Sequence, residues 1–141
     1  GPYGRPDMAL EKFTNKIVRN QKIDIYNFGN NFRDFTFIDD VTESIKRLIN
    51  NPSKSHIPYQ IFNIGNGKSI NIMTYVNAIS SILRKKVKYK LLKQQKSDVV
   101  KTHSSIIKLK NKIKFVPKTN LKDGITKYIK WYKDYYLNGK K

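Results

Sequence analysis

The spacing of apolar residues changes period several times along this chain, and that alternation limits the folds open to it. Met8, Leu10, Phe13, Ile17 and Val18 recur at helical intervals, which predicts a helix from Pro6–Asp7 to Arg19. Pro6 suits a first turn, and Asp7 faces the positive end of the helix dipole. KIDIYNF then alternates as a strand does, with Ile23, Ile25 and Asn27 on one face. NFGNN is a turn by composition, and RDFTFI alternates again, Phe35 and Phe37 opposing Thr36 and Ile38. Helical spacing returns in DDVTESIKRLINN, with Val41, Ile45, Leu48 and Ile49 as the apolar stripe and Asp39 or Asp40 as the cap. YQIFNIG reads as a strand closed by the turn Gly65-Asn66-Gly67. SINIMTYVNAISSIL reads as a helix with Ile72, Val76, Ile79 and Leu83 in register, KVKYKLL as a strand and SSIIKLKNKI as a short helix. The last segment, PKTNLKDGITKYIKWYKDYY, is a proline-led loop and a helix with Leu121, Ile125, Tyr128, Ile129, Tyr132 and Tyr136 on one face. Short strands alternating with helices, with no repeat and no linker, predict a single small α/β unit over residues 1–141.

A chain of 141 residues is about the size of one ordinary domain and long enough to bury a core. It has no cysteine, which removes disulfides and thiolate metal sites and suits a reducing compartment. No apolar run approaches the roughly 20 residues of a membrane span, and no signal-peptide pattern opens the chain. A cytoplasmic protein without a membrane partner is expected. The net charge of +19 points toward a polyanion. Against that, lysine outnumbers arginine 24 to five and is scattered, mostly after Ser81, whereas phosphate and guanine recognition favour the arginine fork. A solvated, compositionally biased surface is the expectation, with a basic nucleic-acid-binding module as the alternative. The aromatic face of the last helix is likewise expected to be buried rather than to stack on bases.

Few residues carry chemistry. His56 and His103 lie in polar surroundings with no second histidine nearby, so no metal site is expected. Asp39 and Asp40 are adjacent, so their side chains diverge, which favours capping over paired acid/base work. FNIGNGKS has two glycines before Lys68 and Ser69 but lacks the spacing of a phosphate-binding P-loop. Arg5, in the glycine-proline loop, and Arg33, at a strand start beside Asp34, stand at element ends where a guanidinium can meet an anion. A surface charge or an ion pair is the other reading of each.

GPYGRPDMA, RDFTFIDDV, FNIGNG, QQKSDVVKTHSSIIKL and PKTNLKDGITKYIKWYKDYY, taken in order, resemble the carboxyl-terminal portion of UDP-glucuronate 4-epimerases. These belong to the extended short-chain dehydrogenase/reductase, or NAD-dependent epimerase/dehydratase, family, whose products feed capsule and surface polysaccharide synthesis. The resemblance implies a small mixed α/β substrate-binding lobe lacking most of the Rossmann domain, with residues 1–141 as one carboxyl-terminal nucleotide-sugar-binding lobe. The opening loop then follows a strand of that domain. The glycine-rich dinucleotide loop and the Tyr-x-x-x-Lys pair of the family are missing, so no catalytic or cofactor-binding residue is expected here. NAD belongs to the complete enzyme, and the chain alone is not expected to be competent.

The resemblance also implies a grip on a UDP-sugar. Arg5 matches the arginine for the uronate carboxylate, Met8 and Ala9 the wall near the uracil, and Tyr26 the residue flanking the base. Arg33 matches the arginine that binds the diphosphate, and Asp98 the acid that bonds the ribose. Gln95 stands where relatives have a second phosphate-binding arginine, Lys96-Ser97 replace a Pro-Gly, and Glu11 falls where a hydrophobe is usual. A separately encoded Rossmann half is the implied protein partner. The usual family dimer, built from helices of that half, is not expected. An inactive, degenerate piece of an epimerase gene is a further alternative.

Overall fold

Helix α3 (Ile72–Leu83) is the element on which the first and last helices pack, in a computed structural model that describes residues 1–54, 56–57 and 59–139. Its Tyr75, Val76, Ile79 and Leu83 join Phe13 and Ile17 of α1 (Ala9–Val18), Ile23 and Ile25 of β1 (Lys22–Ile25), and Ile125, Tyr128, Ile129 and Tyr132 of α5 (Leu121–Tyr132) in one core. Each fully buried aliphatic side chain there is worth about 1.5–3 kcal/mol. Asn71 starts α3 by accepting the Met73 N–H at 2.8 Å, and Arg84 ends it in the left-handed region.

Two small sheets flank the core. β1 pairs in parallel with β4 (Lys88–Leu91), Lys22 opposite Lys88 and Ile25 opposite Leu91. β2 (Phe32–Asp34) pairs antiparallel with β3 (Ser69–Asn71), Phe32 opposite Asn71 and Asp34 opposite Ser69. Helices α2 (Ile38–Ile49) and α4 (Ile107–Ile113) pack on each other. A single π-helical turn, Lys133–Leu137, follows α5. The architecture is the mixed α/β one expected, and no described helix is long and apolar enough to cross a membrane.

Several local expectations need correction. The first helix starts at Ala9, two residues after Asp7, and Asp7 pairs with Arg5 instead. The first strand ends at Ile25 because Asn27 and Phe28 adopt positive φ in a tight turn, where Asn27 donates to Asn30 O and Asn31 Oδ1. RDFTFI is a strand only to Asp34, and α2 begins at Ile38. Ser69–Asn71 is a strand rather than the start of α3. Tyr136 falls in the π-helical turn and is 53% exposed, while Tyr128 and Tyr132 are buried as expected.

Helix α2 departs furthest from its pattern. Neither Asp39 nor Asp40 caps it, since Phe37 is the N-cap residue. Asp39 makes an exposed pair with Lys127. Asp40 is buried and accepts the N–H groups of Lys118 and Thr119 at 3.2 and 2.8 Å, and Ser44, also buried, donates to Asp40 O. The loop before α5 needs those acceptors, so the helix turns its polar side inward and leaves Ile45 and Ile49 in solvent. YQIFNIG forms no strand among the described residues, and Pro58 just before it lies outside them.

Glu11 takes the place of a hydrophobe by finding polar partners inside the core. It accepts bonds from Tyr128 Oη and, at 3.0 Å, from Asn15 Nδ2, while Tyr132 Oη donates to Asn15 Oδ1 at 2.6 Å. Burial, and then the bond to Glu11, push the Tyr128 hydroxyl well above its ordinary pKa.

Candidate functional site

Strand β2 points Arg33 at the junction of two cavities, of about 400 and 160 Å³, which share Ala9, Arg33 and Phe35 as walls. The guanidinium is held on three sides. Nη1 donates to Phe32 O at 2.8 Å and Val100 O at 3.2 Å, and Nη2 pairs with Asp98 Oδ1. The second carboxylate oxygen of Asp98 accepts Asn31 Nδ2 at 2.9 Å, and Asn31 is itself braced by Asn27. An arginine fixed in this way faces a cavity with its rotamer already chosen, so little side-chain entropy is left to lose when an anion arrives.

Asp34 does the positioning next door. The ion-pair reading of Arg33 holds, but its partner is Asp98, not the adjacent Asp34. The Asp34 carboxylate instead accepts three backbone N–H groups at 3.0 Å, those of Asn66, Gly67 and Ser104, and its own N–H donates to Thr102 Oγ1. One side chain therefore ties the 65–67 turn and the 102–104 segment to β2. Phe32 extends the seam by donating to Val100 O and accepting from Thr102 N–H. Asp98 and Arg33 are brought to face each other by this stitching.

The smaller cavity collects Ala9, Tyr26, Arg33 and Asp98, four of the seven residues expected from sequence. Met8, Ala9 and Arg33 line the larger, alongside Phe35, which stacks on Tyr75 with ring centroids 3.9 Å apart. Arg5 and Gln95 line neither. Arg5 is exposed, with Nε and Nη2 bound by Asp7 at 3.1 and 2.6 Å, a pairing that raises the arginine's pKa and lowers the aspartate's. Gln95 is exposed and uses its carbonyl to accept Asp98 N–H. Asn31 and Asp34 were missed as site residues, although the run of asparagines around Asn31 already marked a turn whose amides must bond something.

The glycines of FNIGNG leave no room for a dinucleotide. A Cβ at Gly65 would fall 2.4 Å from Ser104 Cβ, Gly67 at φ +70° lies against Ile106, and the loop's free N–H groups are taken by Asp34. The loop is an anion nest whose anion is the protein's own carboxylate, so it does not fit the pyrophosphate of NAD, and no hydride step is assigned to it. His56 and His103 are exposed, and among the described residues no three His, Cys, Asp or Glu side chains converge as a metal site.

Residues 1–65 match the model of the NAD dependent epimerase/dehydratase family. The chain is similar to members of that family. It is 41% identical over 150 aligned positions to Protein CapI of Staphylococcus aureus, covering 96% of this chain and 45% of CapI. It is 34% identical to a probable UDP-glucuronate 4-epimerase of Rhizobium meliloti, covering 96% of this chain and 44% of the relative. The fold is similar to that of a Bacillus cereus UDP-glucuronic acid 4-epimerase variant in complex with UDP-4-deoxy-4-fluoro-glucuronic acid and NAD. The TM-score is 0.86 at 26% identity, over 96% of this chain and 43% of that one. The chain thus spans less than half the length of the epimerase relatives it matches.

Proposed function

We propose that residues 1–141 form one nucleotide-sugar-binding lobe of a UDP-glucuronate 4-epimerase. The observation that supports it is the Arg33–Asp98–Asn31 cluster on the wall between the two cavities. The diphosphate takes the Nη2 face of Arg33, displacing Asp98, whose freed carboxylate turns to the ribose hydroxyls; Asn31 keeps it within reach. Tyr26 flanks the uracil from the smaller cavity, and Met8 and Ala9 close its other side. The larger cavity, of a size usual for small-ligand pockets, takes the sugar. Arg5 exchanges Asp7 for the uronate carboxylate, which selects glucuronate over glucose, and Gln95 contributes an amide to the diphosphate where relatives have an arginine. Oxidation and re-reduction of the sugar at C4 need NAD and a tyrosine base supplied outside residues 1–141.

Calorimetric titration with UDP-glucuronate, UDP-glucose and a single-stranded oligonucleotide, at two salt concentrations, tests this reading. Saturable UDP-glucuronate binding is expected, abolished by Arg33→Ala and reduced to the UDP-glucose level by Arg5→Ala. Absence of any UDP-sugar binding, together with oligonucleotide affinity that falls steeply with salt, would replace the reading with the nucleic-acid one.

A further inference from the structure

Strand β4 is exposed along its whole length, and Lys88 and Lys90 alternate in it with Tyr89 and Leu91. It pairs with β1, whose Ile23 and Ile25 are buried in the core, so Lys22, Asp24, Lys88 and Lys90 share the outward face. Lys22 stands in register with Lys88, and like charges side by side on a sheet cost stability. Asp24 stands in register with Lys90 but is engaged by Lys16 at 3.3 Å. Among the described residues none of Lys22, Lys88 and Lys90 has an ion-pair partner.

The flanks of the strand extend this surface. Arg84 and Lys86 before it and Lys93 after it are exposed, and they too lack an ion-pair partner among the described residues. Lys85 is held apart from them, since its Nζ donates to Val18 O at 2.6 Å. No aspartate or glutamate occurs between Glu43 and Asp98, and seven of the 10 acidic residues lie at or before Glu43. A lysine-rich composition accounts for the number of these cations. It does not account for two of them standing in register, where the fold bears a repulsion that an external anion relieves.

We propose that β4, with Lys22 and the flanking cations, is a docking surface for an anionic lipid bilayer. Two observations favour a bilayer over a nucleic acid. Lysine, a compact point charge, suits many loosely placed headgroups, whereas the bidentate contacts of nucleic-acid recognition favour arginine. Tyr89 and Leu91 are 46% and 45% exposed on the same strand, and a tyrosine and an aliphatic side chain beside lysines match the interfacial layer of a membrane. A nucleic acid offers Leu91 nothing. The expectation of no membrane partner rested on the lack of a spanning run, and attachment at the bilayer surface requires none.

The test is co-sedimentation of the chain with vesicles of phosphatidylcholine alone and of phosphatidylcholine with about one quarter phosphatidylglycerol, at low and at physiological salt. Binding to the anionic vesicles is expected, about tenfold or more above the neutral ones and weakened by salt. Lys88→Glu combined with Lys90→Glu should lower it by roughly a hundredfold. Lys88→Glu sets opposite charges in register at Lys22, so this variant should melt no lower than the parent, and its loss of binding is not a loss of fold. Lys110→Glu combined with Lys114→Glu on α4, both exposed, makes the same change in net charge and should leave most of the binding. Leu91→Ser should weaken vesicle binding by roughly fivefold, through the apolar contact alone. Equal binding to neutral and anionic vesicles, no binding to either, or an equal loss in the α4 variant would overturn the proposal. So would a single-stranded oligonucleotide that displaces the vesicles and loses its own binding in the Lys88→Glu, Lys90→Glu variant but not in Leu91→Ser, which would give the face to nucleic acid.

Discussion

The side of the molecule built from α1, α3 and α5 and the side built from α2, residues 59–66 and α4 obey different rules. On the first, apolar periodicity and burial coincide: Phe13, Ile17, Val76, Ile79, Ile125 and Ile129 are all core. On the second, α2 inverts them, while Leu109 and Ile113 of α4 are buried. Asp40 and Ser44 are buried while Ile45, Ile49, Tyr59 and Ile61 face solvent. Backbone bonding explains the polar half of the inversion, because Asp40 is the acceptor for the loop entering α5. Among the described residues nothing covers the apolar half.

The largest expected effect sharpens this contrast directly. Ile79→Ala, at a fully buried position of α3, should lower stability by about 2–5 kcal/mol, through lost transfer energy and the cavity left behind. Ile49→Ala, the same deletion on α2 at 72% exposure, should stay within about 0.5 kcal/mol. Urea melts of the two variants measure it. Equal losses would mean that Ile49 is packed in solution and that the two sides do not differ.

A smaller loss is expected where the two sides are stitched together. Asp34→Ala leaves the N–H groups of Asn66, Gly67 and Ser104 without their acceptor, at a cost of about 3 kcal/mol for half-buried bonds to a carboxylate. Because these bonds also hold the 102–104 segment against β2, UDP-glucuronate affinity should fall further than in a variant of equal stability made at α4. Calorimetry on both variants separates the two effects.

How much of this could be seen in the sequence follows from the same contrast. Every element of the α3 side was legible because one residue type does one job there, and hydrophobic spacing reports burial. The α2 stripe misled because the pattern marks a face that wants cover without saying whether this chain supplies it. YQIFNIG was a fair strand prediction by composition, but a strand also needs a neighbour, and pairing is not written in a segment's own residues. In the candidate site, Arg33 was singled out as an arginine at a strand start and Asp98 through family resemblance. Their bond to one another links residues 65 positions apart, which no local reading of the sequence reaches. Local reading pairs neighbours, whereas the fold gave Asp34 to three distant amides.

The smallest effect concerns the polar spot within the well-ordered side. The Tyr128 hydroxyl is buried and donates to Glu11, so its proton is held more tightly in the folded chain than in the unfolded one, where the ordinary value is 10.0. Above pH 10 the unfolded chain therefore releases this proton while the folded chain keeps it. The unfolded state then binds fewer protons, and stability falls as pH rises. The contribution is complete below pH 10 and is lost above it. Tyr128→Phe removes the titrating group and the bond together, at about 1.5 kcal/mol near neutral pH for a hydrogen bond to a carboxylate. Melting temperatures from pH 8 to 11 should fall more steeply in the parent than in Tyr128→Phe, so that the two curves converge as the pH rises. Parallel curves would mean that the hydroxyl titrates freely and that the α1–α5 interface opens to water at Glu11, which would bring the ordered side closer in character to the other.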